Sequence, residues 1–159
     1  MNLHLLNQQR ILPVRLRSLR RLAERMFHMP ETGCIPWGDI TVILLNDRGI
    51  RIIHQAVFGE DQVTDVITQP YRPTPPCREW SGEIFLNAQR AAEEGMHRAG
   101  GPARELALYL IHGGLHLAGE TDEEAIGRAR MRRLERTRLW IATREDLLSS
   151  LLRSDAIHA

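Results

Sequence analysis

Residues 103–118 hold two histidines, His112 and His116, one helical turn apart in a mostly apolar run whose buried face is marked by Leu106, Leu110, Gly113, Gly114 and Leu117. That spacing predicts a buried helix over about 103–118, and in a helix it stacks both imidazoles on one face. Two interior glycines each cost about 1 kcal/mol relative to alanine, so they point to a close neighbour or a functional demand. Gly119 then permits a left-handed turn that ends the helix, and the reversing chain brings Asp122 toward the two rings. The pattern His-x-x-x-His-x-x-Gly-x-x-Asp reads as a three-ligand zinc site, His112, His116 and Asp122, one ion per chain, with an open fourth position. A peptidase of the His-Glu-x-x-His type is a poor match, because its general base would stand at Gly113. Glu120 is the nearest candidate for proton transfer, and Glu83 a candidate partner for a histidine.

The rest of the chain predicts helices alternating with short strands. Residues 10–14 read as a short edge strand, confined there by Pro13. Leu16, Leu19, Leu22, Ala23, Met26 and Phe27 recur at helical spacing, and that helix should stop at Met29 before Pro30. A β-branched strand covers 40–46, a helix 48–57, and short strands 64–68 and 83–86. The Pro-rich stretch 70–77 between those strands reads as a lip over the site. Asn87 caps a helix to about Arg98. Thr121 or Asp122 opens a last helix with Glu123 and Glu124 in its first turn, running on through Met131, Leu134, Ile141 and Leu148 with a candidate break near Thr143. Together these give an α/β (α+β) single domain over 1–159. It has a small mixed sheet of about four strands packed with five or so helices, the zinc site at the end of a central helix, and a disordered tail at 154–159.

A chain of 159 residues, 43% hydrophobic, can bury one substantial core. No apolar run approaches the roughly 18 residues of a membrane span and the start lacks a signal-peptide pattern, so a cytoplasmic protein with no membrane partner is expected. Cys34 and Cys77 read as reduced spectators. The net charge of +1 hides a segregation: six arginines against Glu24 in residues 1–30, and six against Glu135 in residues 128–138. All 21 basic residues are arginine, whose planar fork suits phosphate oxygens. Arg128, Arg132 and Arg136, one turn apart, form a ridge that reads as RNA-binding; the competing reading is a solvated helix face.

The run from His112 to Gly119 closely resembles the His-Gly-x-Leu-His-Leu-x-Gly signature of the YbeY family, zinc-dependent endoribonucleases of ribosomal RNA maturation. Residues 40–47 resemble its first strand. Residues 59–70 are similar to its Gly-x-Asp-x-Pro-Thr-Asp-Val-Leu-Ser-Phe-Pro, and Gly82-Glu83-Ile84 to its Gly-Asp-Ile; the likeness covers about 40–139. Asp122 stands where the family has its third histidine, Phe58 where it has an arginine regarded as important for activity, and His54 where it usually has asparagine. His54 is therefore a second candidate for proton transfer.

The resemblance implies an α/β fold and a zinc-dependent, single-strand-specific endoribonuclease. Such an enzyme acts on ribosomal RNA at the 16S 3′ end and in ribosome quality control, with RNA, the ribosome and ribosomal-protein or GTPase partners. The alternative is a metal-stabilised ribosome-associated factor of weak or no nuclease activity.

Overall fold

The structure, a computed structural model, describes residues 1–153, so the tail expected to be disordered lies outside the described residues. Strands β1 (Asn2–Asn7), β2 (Trp37–Leu45), β3 (Val66–Tyr71) and β4 (Trp80–Asn87) form one mixed sheet in the order β1-β2-β4-β3. β1 and β4 run parallel to β2, and β3 is antiparallel to β4. Five helices of two turns or more accompany the sheet: α1 (Leu16–Phe27), α3 (Asp47–Phe58), α4 (Ala88–Met96), α5 (Gly101–Leu117) and α6 (Ala125–Arg144); α2 (Pro30–Gly33) is a single turn.

The period-2 alternation of β2 divides the interior. Ile40, Val42 and Leu44 join the main core, whereas Ile43 and Leu45 point to the other face and meet Ile50 of α3 and Ile67 of β3. β2 is thus apolar on both faces, which is why it reads as one continuous hydrophobic run. The main core lies between the sheet and α1, α4, α5 and α6, and Leu106, Leu110, Ile111 and Leu115 of α5 are almost fully buried within it.

Three expectations are corrected. The N-terminal strand is Asn2–Asn7, with only Leu3 fully buried, as befits a sheet edge. Residues 10–14 are instead a loop: the buried Gln9 side chain accepts from the Ile11 and Leu12 amides at 2.8 Å each, satisfying donors that a strand would have paired. α6 begins at Ala125 with Glu124 as its extended N-cap, so neither Thr121 nor Asp122 opens it and no acid occupies its first turn. Its end at Arg144 falls at the candidate break near Thr143: Asp146 adopts φ 53° and the Leu147 amide bonds the Ala142 carbonyl at 2.9 Å. The Pro-rich stretch joins β3 to β4, but no residue from 72–79 lines the cavity beside His112, so it is not a lip over that cavity.

Candidate metal centre

α5 lies directly on the sheet because of Gly113. A Cβ there would sit 2.8 Å from Ile84 Cγ2 and 3.0 Å from Val66 Cγ2, methyls on stiff β-branched side chains. At Gly114 the nearest atom is 3.8 Å away, so packing accounts for the first glycine only. Past the helix end Gly119 takes φ 92°, and the Glu120 amide reaches back to the Leu115 carbonyl at 3.0 Å. That reversal carries Asp122 to the histidines.

His112 Nε2 and His116 Nε2 are 2.9 Å apart, and the Asp122 carboxylate oxygens lie 3.9 and 3.7 Å from them. A tetrahedral ion with ligands at about 2.0–2.2 Å separates those ligands by roughly 3.3–3.6 Å, a span that the observed distances bracket. Each ring is oriented from behind. His112 Nδ1 faces Glu135 Oε1 at 2.6 Å, and His116 Nδ1 faces the Glu120 carbonyl at 2.9 Å. A carbonyl and a carboxylate only accept, so both Nδ1 atoms carry the hydrogen. Both Nε2 atoms then present lone pairs to one another. Two lone pairs at 2.9 Å repel unless a cation, metal or proton, lies between them. Burial pushes the pKa of His112 down, but the hydrogen bond and charge of Glu135, with the charges of Asp65 and Asp122, outweigh it and leave it raised. The donor set, two imidazoles and a carboxylate, fits zinc.

The other expected residues are placed as follows. The Glu120 carboxylate is held by Arg130 through two hydrogen bonds, 2.7 and 2.8 Å. His54 bonds the Glu60 carbonyl and packs on the exposed ring of Phe58 at 4.8 Å, and neither lines the cavity. Glu83 is not a histidine partner, since it accepts from the Tyr71 hydroxyl at 2.7 Å. Arg128 and Arg132 line the cavity beside His112, and Arg136 lines the adjoining groove. Arg128 donates to the Asp122 and Glu123 carbonyls. Cys34 and Cys77 are free and exposed.

Sequence reasoning missed Glu135 and Asp65. The signal for Glu135 was its isolation as the lone acid among six arginines in 128–138. Asp65 sits in the Thr-Asp-Val motif but carries no ligand spacing of its own.

A family model described as Endoribonuclease YbeY matches residues 4–141. Among curated proteins of that name, the one from Rhodopirellula baltica is 36% identical over 100 residues, 62% of this chain and 50% of its own length. The one from Geobacter sulfurreducens is 29% identical over 142 residues, covering 85% of this chain and 89% of its own. The chain spans 50% and 58% of the Rhodopirellula baltica and Anaeromyxobacter relatives it matches. A solution structure of a Thermotoga maritima protein, 22% identical, superposes with a TM-score of 0.61 over 97% of this chain and 98% of its own, which shows the same fold. No helix among the described residues is long and apolar enough to cross a membrane. Sequence, fold and the His112-Gly-Gly-Leu-His116 signature agree that the chain belongs to the Endoribonuclease YbeY family.

Proposed function

We propose that this chain is a zinc-dependent endoribonuclease that hydrolyses single-stranded ribosomal RNA, acting in the cytoplasm on the ribosome near the 16S 3′ end. The observation that carries the reading is the pair of Nε2 atoms facing each other at 2.9 Å with the Asp122 carboxylate beside them, in a chain of this family. His112, His116 and Asp122 would hold zinc, which would supply a Lewis acid for a phosphoryl oxygen and a water of lowered pKa, about 7 in such sites.

The residues around the centre have separable tasks. Glu135 fixes the His112 tautomer and makes its Nε2 more basic. The Glu120 carbonyl does the same for His116, and the Arg130 pair steadies the loop that bears it. The ridge Arg128, Arg132 and Arg136 meets backbone phosphates, with Arg132 and Arg136 best placed because Arg128 is turned onto backbone carbonyls.

The test is cleavage of a single-stranded RNA by wild type, His116→Ala and chelator-treated protein, with zinc restored. Loss in both and recovery on zinc addition are expected. Cleavage surviving both treatments overturns the metal-based reading, and no cleavage by the zinc-loaded wild type favours the factor without nuclease activity.

A further inference from the structure

A cavity of about 500 Å³ opens beside His112, lined from α4, α5 and α6. That volume is in the class of ligand sites, roughly 300–1,000 Å³. Four guanidiniums reach its wall, and two are committed. Arg98 sits between Glu94 at 2.9 Å and the buried Glu105 at 2.7 Å, and Arg128 braces the loop carrying Asp122. The wall carboxylates are committed as well: Glu135 to His112, and Asp65 to the Thr64 hydroxyl and Val66 amide. What remains is Arg90 on α4 and Arg132 on α6, neither in an ion pair among the described residues. Both helices pack on α5, so the two cations line, from different walls, the cavity that His112 and Asp122 also line.

The cavity does not end there. A neighbouring groove lined by Arg104, Arg132 and Arg136 shares Leu108, Arg132 and Glu135 with it, so the two are continuous. Arg104 and Arg136 are likewise in no ion pair among the described residues. Guanidiniums keep their charge and match phosphate oxygens bidentately. Three of them along one groove suit a polymer of regularly spaced anions, as the backbone of single-stranded nucleic acid is.

We propose that single-stranded RNA runs from the metal centre along this groove. Arg90 and Arg132 clamp the phosphate beside the reacting one, and Arg104 and Arg136 hold the next phosphates outward. The assignment rests on the nuclease reading and adds Arg90 and Arg104 to it.

The test measures binding of a labelled trinucleotide, which carries the reacting phosphate and one neighbour, and of a labelled longer single-stranded RNA, both 2′-O-methylated, against salt. Arg90→Gln and Arg132→Gln weaken both probes several-fold. Arg104→Gln and Arg136→Gln weaken only the longer one. Each substitution lowers the salt slope by about 0.7, which a merely structural role would not do. Arg17→Gln on α1 leaves both probes unchanged. Groove variants that bind like wild type, or an Arg17→Gln loss of the same size, overturn the track while leaving the nuclease reading standing. Wild type that neither binds nor cleaves single-stranded RNA overturns both.

Discussion

Replacing Glu135 by Gln keeps an acceptor for His112 Nδ1 and removes only the charge, so it isolates what the carboxylate contributes to the metal centre. The contact is short, 2.6 Å, and the Glu135 side chain is only 16% exposed, so water screens it weakly. Partners of this kind are worth about 10–100-fold in metal affinity. The neutral substitute should sit at the lower end, about tenfold or 1.4 kcal/mol. Glu135→Leu leaves the Nδ1 hydrogen unpaired and should lose about a hundredfold.

A pH signature accompanies the loss. Because the His112 pKa is raised, protons compete with metal from above the ordinary imidazole value of about 6.5. In the metal-free protein the stabilisation from His112 is fully present below that value and fades as pH rises through the folded pKa. Glu135→Gln removes the charge of Glu135, one of the causes that raise the His112 pKa, so its proton competition begins at lower pH. The wild-type advantage should therefore be widest near pH 8, at about tenfold, and narrow toward pH 6. Competition with a chromophoric chelator across that range measures it. Equal affinities at pH 8, or an advantage that grows on acidification, would refute the reasoning.

Gly113→Ala gains about 1 kcal/mol of helix propensity but drives a methyl into Ile84 and Val66, an overpacking cost of about 1–3 kcal/mol; net destabilisation of about 1 kcal/mol in urea melts, with weaker zinc binding, is expected. Asn87→Ala removes the α4 cap on the Arg90 amide and orphans Asp47 and the Thr64 carbonyl, at a cost of about 2–3 kcal/mol in the same assay. Asp122→His restores the ligand type of the family signature and should keep zinc through dialysis, whereas Asp122→Ala should lose it.

The grouping of His112, His116 and Asp122 was legible because one helix and one turn carry all three, so local geometry sufficed to bring together a set that could hold a metal ion. Elements with strong period, such as β2 and α5, were legible for the same reason. β1 was not: as a half-exposed edge it shows one buried residue, and its strand character comes from pairing with β2. The α6 start was misplaced because Thr121 and Asp122 are good cap residues, whereas the cap is Glu124, which makes no side-chain cap hydrogen bond and so carries no sequence signal. The role of Glu135 was not legible, although its place as the lone acid among six arginines stands out, because its partner lies 23 residues away and only the packing of α6 on α5 joins them.

Elemental analysis of mildly purified protein is the most direct measurement of the central claim. The structure predicts about one zinc per chain, by analogy with three-ligand sites, and none in His112→Ala/His116→Ala. Wild type that holds no metal after purification and takes up none from added zinc, or a double variant that holds as much as wild type, would contradict it.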